Sequence, residues 1–204
     1  MKQYKDKSHR RQYYKDAVFI MTLIALIGVA MLVKPKPKPI VQKDIEKVIG
    51  IPYTIDTIPE SGKRPGRHRK IKYIVVHNTA NETSDARSER NYLTNITNTS
   101  DTSWHIVVDE REIIEAIPLN EVAHHAGSSV GNEYGIGIEI CESGNYEQSE
   151  ENAIKLIAYL MKYYKIPLSR VTTHQHFSGK ACPRLILENW DAFIDKVEKE
   201  FRGY

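Results

Sequence analysis

The sequence predicts an α/β fold: a single domain with a central mixed β-sheet flanked by helices, preceded by an N-terminal transmembrane helix and a linker. Three observations predict it. Nearly unbroken β-branched runs, IKYIVVH at 71–77 and IGIEIC at 136–141, have the composition of strands covered on both faces. Apolar residues recur at helical spacing through 150–164 and 190–201, as on helices that lay one stripe against a sheet. Residues 17–33, AVFIMTLIALIGVAMLV, carry no charge and almost no polar group.

From the N-terminus, residues 1–16 read as a basic cytoplasmic tail, with six Lys/Arg against two Asp/Glu. Residues 17–33 read as a transmembrane anchor. At roughly 1.5 Å per residue such a helix is about 25 Å long, near the ~30 Å of a hydrocarbon core. Tyr13 and Tyr14 suit a membrane interface. Gly28 and Ala30 are placed like a signal-peptide cleavage site, so a cleaved signal stays open as an alternative. Lys/Arg residues flank the segment on both sides, and charge alone does not orient it. Residues 34–50 are expected to be a Lys/Pro-rich linker whose KPKPKP run favours extended polyproline geometry and acts as a spacer.

Residues 51–204 are expected to hold the domain. A basic run at 63–72 precedes the first strand at 71–77 and reads as a solvated loop or an attractor for anionic polymers. Residues 85–98 predict a polar surface helix with Ser84 as N-cap. Two apolar runs, 104–109 and 112–117, meet at Glu110-Arg111 and predict a hairpin. The strand at 136–141 follows. A helix over 150–164 presents Ala153, Ile154, Ile157, Leu160, Met161 and Tyr164 on one stripe and stops before Pro167. A short strand at 170–174 leads to a final helix whose inner face is Trp190, Phe193, Ile194, Val197 and Phe201.

The charge is unevenly spread. Residues 34–72 carry a net +7, while 73–204 carry twelve Lys/Arg against twenty Asp/Glu, a net −8. An acidic domain argues against nucleic acid as its partner. Two cysteines, Cys141 and Cys182, make no disulfide framework.

Chemistry concentrates at strand ends. His77 closes the first strand in VVHNTAN, Glu139 lies in IGIEICESG, and HQHFSGKACP runs from His174 to Pro183. Such groups are costly at the ends of buried strands unless paired, and a metal is a usual partner. A thiolate with two imidazoles would give zinc three protein ligands and leave a fourth position open. No CxxC pair or HExxH helix occurs, which excludes a zinc finger and the common metalloprotease site.

The stretches YIVVHNTAN, TSWHIVVDEREIIEAIPLNEVAHHAG, IGIEICESG and HQHFSGKACPR, in that order, resemble the type 2 N-acetylmuramoyl-L-alanine amidases, the family of phage amidase endolysins and peptidoglycan recognition proteins. The resemblance spans roughly residues 50–200. It implies one Zn2+ held by His77, His174 and Cys182, with Glu139 and Lys180 as catalytic residues. Glu139 would take a proton from the attacking water and return it to the departing L-alanine nitrogen, while Lys180 stabilises the oxyanion. The resemblance also implies that His125 lines the substrate groove, and Trp104 and His105 are expected beside it as substrate-binding residues.

Plainer roles compete. Glu139 can merely orient a ligand, Lys180 can be a solvated loop residue, and His105 can pack. His176 forms an HxH pair with His174, but relatives often carry Asp there. His124 sits where relatives are commonly aromatic, and Cys141 reads as core. The implied function is zinc-dependent hydrolysis of the amide bond between N-acetylmuramic acid and L-alanine. The alternative is a non-catalytic peptidoglycan-binding module of the same fold. Peptidoglycan is the expected partner, with the membrane engaged through the N-terminal helix and a monomer as the default. The expected location is the cell membrane, single-pass, with the domain facing the wall, or secreted if the N-terminal segment is cleaved.

Overall fold

The computed structural model describes residues 11–15, 18–22 and 42–204. Chain contacts divide it into two units that meet between Lys38 and Pro39. In the first unit residues 11–15 and 18–22 are helical, with Tyr13, Tyr14, Val18 and Phe19 exposed. Most of the expected span 17–33 and all of the KPKPKP run lie outside the described residues. Among the described residues no helix is long and apolar enough to cross a membrane, so the expected transmembrane helix finds no support there.

The second unit begins where a linker was expected. Residues Gln42–Ile49 form helix α1, with Ile45 and Ile49 buried one turn apart against strand β1 (Tyr53–Ile55) and helix α4 (Tyr146–Tyr164). The expected linker over 34–50 is therefore too long at its C-terminal end. Three apolar residues in a polar octamer, Ile45, Val48 and Ile49, are too few to display a helical period before the packing partner is known.

Strands β2 (Tyr73–Asn78), β3 (Ile106–Val108), β4 (Ile113–Glu115), β5 (Gly135–Ile140) and β6 (Val171–Thr173) complete one six-stranded sheet of order β1-β4-β3-β5-β2-β6. All neighbours are parallel except β3 and β4, so the sheet is mixed as expected. The β3–β4 hairpin is closed by Asp109, whose Oδ1 accepts from the backbone N–H groups of Arg111 and Glu112, both at 2.7 Å.

Alternation along the strands sorts side chains onto two faces. Ile74, Val76, Ile106, Val108, Ile136 and Ile138 point into the main core, where α4 and α6 (Trp190–Arg202) supply Ile157, Leu160, Phe193 and Val197. The opposite face builds a smaller cluster in which Val107 and Ile114 meet Ala86 and Leu93 of α2 (Ala86–Thr94). Asp85, not Ser84, caps α2: its carboxylate accepts from the Ser88 N–H at 2.8 Å. Helix α4 starts at Tyr146, behind an Asn145 cap, and ends at Lys165 in the left-handed region at φ 56°. Short helices α3 (Ser129–Tyr134) and α5 (His174–Ser178) were not foreseen. The segment read as strand to residue 174 thus turns helical at the histidine itself.

Candidate metal centre

The site grows from the carboxyl ends of adjacent parallel strands. His77 on β2 and Glu139 on β5 are register partners, so their side chains emerge side by side on the face away from the main core. β6 lies on the other side of β2 and ends at Thr173, whose hydroxyl accepts from the His176 N–H at 3.1 Å and starts α5. His174 therefore begins a helix at the edge of the same strand end. The chain reverses at Gly179, in the left-handed region at φ 78°, and returns so that the Gln175 N–H donates to the Cys182 carbonyl at 3.0 Å.

The result is a cluster. One ligand atom each from His77, His174 and Cys182 all lie within 4.8 Å of one another, and all three residues are buried. His77 Nδ1 stands 3.7 Å from Cys182 Sγ and 3.8 Å from Glu139 Oε1. Glu139 Oε2 is buried with no hydrogen-bond partner. Burial, then the charge of Glu89, pushes the Glu139 carboxyl well above the usual carboxylate range, while Lys180 opposes the shift. Burial drives His77 well below its ordinary value and His174 down as well, and it lifts the Cys182 thiol to about 11. Two neutral imidazoles, a thiol with only long contacts and an orphaned carboxylate oxygen are costly together unless a cation sits among them. A donor set of two nitrogens and one sulfur suits zinc and leaves a position for a further ligand. The residues fit the ion.

The other expected site residues divide. Lys180 is exposed on the returning loop, and its charge acts on His77, His174 and Glu139. His176 is exposed, stacks edge-on with Phe177 and stays outside the donor cluster. Both cysteines are free, and Cys141 is core.

The three residues expected at the substrate are all buried. His125 is 3 % exposed, with Nδ1 3.1 Å from His77 Nε2 and Nε2 3.1 Å from the Gly135 carbonyl oxygen. His105 is fully buried; its Nδ1 accepts from the Gly137 N–H at 3.0 Å and its Nε2 lies 2.9 Å from the Glu121 carbonyl. Trp104 is buried in the smaller apolar cluster. The expectation for His125 came from the family resemblance, and the fold turns all three side chains inward.

Sequence reasoning missed several supporting residues. Asn78, next to His77, accepts from the Leu185 N–H at 3.0 Å and donates to the Tyr146 hydroxyl, clamping the cysteine loop to β2. Arg184 pairs with the buried Glu142 and ties that loop to the segment after β5. Glu89, 7 % exposed, lines a cleft of about 650 Å³ with Thr79, Ala80, Asn81, Ser84 and Tyr92. The polar residue after the histidine in VVHN was the available signal for Asn78. Nothing in the sequence pointed to Glu89.

Comparison with known proteins agrees with this geometry. The family model described as N-acetylmuramoyl-L-alanine amidase matches residues 67–185. The chain is 43 % identical over 150 residues to the amidase CwlH of Bacillus subtilis (strain 168), covering 70 % of this chain and 59 % of CwlH. It is 45 % identical over 145 residues to the amidase XlyA of the same organism, covering 68 % of this chain and 48 % of XlyA. The chain thus spans about half to three-fifths of the length of these curated relatives. The solved catalytic domain of XlyA superposes with a TM-score of 0.69 at 42 % identity, over 72 % of this chain and 99 % of that domain. With the family model spanning more than half of the sequence and all the donor residues inside it, the chain belongs to the type 2 N-acetylmuramoyl-L-alanine amidase family.

Proposed function

We propose that this protein is a zinc-dependent amidase that hydrolyses the bond between N-acetylmuramic acid and L-alanine in peptidoglycan. The observation that carries the reading is the convergence of His77, His174 and Cys182 within 4.8 Å beside an unpartnered Glu139 oxygen. Likeness to proteins named for this reaction supports the choice of bond.

Bound at these donors, zinc supplies Lewis-acid polarisation of an amide carbonyl and acidifies water toward neutral pH. Glu139 Oε2 accepts the proton of the attacking water and delivers it to the departing nitrogen, so the C–N bond breaks into a lactyl carboxylate and a free L-alanine amine. The raised affinity of Glu139 for a proton suits this exchange, because an acid–base group works best when its pKa lies near the working pH. The Lys180 ammonium supplies positive charge for the oxyanion. We further propose that residues 17–33 tether the domain at the cell membrane with its face to the wall, an assignment supported by their apolar composition and tested by fractionating cells that express the full chain.

The central test is digestion of purified sacculi by the full chain, with mass spectrometry of the products and metal analysis of the protein. Stem peptides with new L-alanine N-termini, and about one zinc per chain, are expected. Cys182→Ser should lose zinc and lytic activity together. Undiminished lysis by a zinc-free Cys182→Ser protein would sink the assignment.

A further inference from the structure

We infer that His125 is a positioning residue that fixes the proton on His77 and so presents His77 Nδ1 as a free lone pair to the metal; this rests on the zinc reading of the site. The inference follows from a chain of three groups. The Gly135 carbonyl oxygen lies 3.1 Å from His125 Nε2, and His125 Nδ1 lies 3.1 Å from His77 Nε2. A carbonyl oxygen only accepts, so His125 Nε2 carries the hydrogen. In a neutral ring its Nδ1 is then a lone pair and accepts from His77 Nε2–H. His77 Nδ1 is left unprotonated, facing Cys182 Sγ at 3.7 Å and Glu139 Oε1 at 3.8 Å.

The reverse order fails twice. It would set a lone pair of His125 against the lone pairs of the Gly135 carbonyl, and it would aim a His77 N–H into the donor cluster. A doubly protonated His125 would donate from Nδ1 as well, so that His77 Nε2 would accept and a neutral His77 would again aim its N–H into the donor cluster. Ligating histidines commonly have their second nitrogen held this way, by a carboxylate, carbonyl or water. Here another imidazole transmits the hold from the backbone.

The fold makes room for that ring in a specific way. Asn132 Oδ1 accepts from the His125 N–H at 3.0 Å and the Ala126 N–H at 2.7 Å, pinning the backbone that carries the ring. The ring then lies across β5 at its two glycines. A Cβ at Gly137 would come within 2.6 Å of His125 Cγ, and one at Gly135 within 3.2 Å of Cε1. The glycines of GIGIEI are the space in which His125 sits, and Glu139 follows two residues later on the same face.

The test measures zinc affinity of the full chain by competition with a chromophoric chelator, and the ring tautomers by long-range 1H–15N NMR of histidine-labelled, zinc-free protein. Wild type should show His77 protonated at Nε2. His125→Leu removes the acceptor and should weaken zinc binding about 10–100-fold. His125→Asn keeps an acceptor oxygen near the place of Nδ1 and should stay within a few-fold of wild type. Gly137→Ala displaces the ring without touching a ligand and should behave like His125→Leu, which keeps the inference testable if the leucine variant does not fold. Wild-type affinity in a folded His125→Leu or Gly137→Ala protein overturns the inference, as does a His77 protonated at Nδ1. Those results leave the zinc reading intact. A wild-type protein that takes up no zinc overturns both.

Discussion

At the scale of single residues, the carboxylate proposed as the acid–base group is tuned by neighbours whose effects oppose each other. Burial, then Glu89, holds Glu139 protonated to higher pH, and Lys180 pulls the other way. Removing a nearby negative charge lowers the pKa of a carboxyl, and removing a nearby positive charge raises it. The working base is the deprotonated form, so Glu89→Gln should move the acid limb of the kcat/KM profile to lower pH, and Lys180→Met should move it to higher pH. Profiles that coincide with wild type in both variants would show that neither charge reaches Glu139. Glu139→Gln, which cannot take up the proton, should lose activity by about 10²- to 10⁴-fold while keeping its zinc, as read by turnover and metal content on the same sample. The types of these residues were legible in the sequence, since a buried strand rarely ends in His or Glu without a reason. Glu89 was not, because its influence on Glu139 exists only once α2 is packed over β3 and β4.

At the scale of elements, the strands and the two long helices announce themselves because each carries its own period. β2 and β5 are continuous apolar runs, and α4 and α6 repeat every three to four residues. The short elements do not. Helix α1 shows one turn of apolar spacing, and α5 is five residues beginning at His174. Both are set by what they pack on. Ile45 of α1 is fully buried against the main core, so Ile45→Ala in the full chain should cost about 2–5 kcal/mol in denaturant unfolding, as buried isoleucine truncations do. A cost below ~0.5 kcal/mol would mean that α1 is a dispensable appendage, as the linker expectation had it. Element boundaries also shifted at capped ends. α2 starts one residue later than the Ser84 expectation, with the Asp85 carboxylate accepting the Ser88 N–H; Asp and Ser cap about equally well, so residue type alone did not choose between them.

At the scale of the whole molecule, the sheet order brings together residues about a hundred positions apart. β2 sits between β5 and β6, so His77, Glu139 and His174 share one edge, and the loop after α5 adds Cys182. Clamps hold that loop: Asn78 to Leu185 and Arg184 to Glu142. A metal bound at three dispersed side chains should stabilise the native state over the unfolded chain, which has no assembled site. Chelation should therefore lower the thermal midpoint, by the equivalent of ~2.7 kcal/mol if zinc had been present at about a hundred times its Kd. The same treatment of Cys182→Ser should change little. Equal melting of zinc-loaded and chelated wild type would argue against metal at this site.

The chain of amino acids by itself determined the fold class and the main strands and helices, because periodicity and residue chemistry are local properties, and its likeness to a family singled out His77, His174, Cys182 and Glu139. It also led His125, Trp104 and His105 to be expected in a groove. Only tertiary structure decided their places: whether a side chain meets solvent depends on which segment folds over it, and all three turn inward. The proton order from Gly135 through His125 to His77 belongs to the same class of fact, since it exists only when a backbone carbonyl and two imidazoles from separate segments are set within hydrogen-bonding distance.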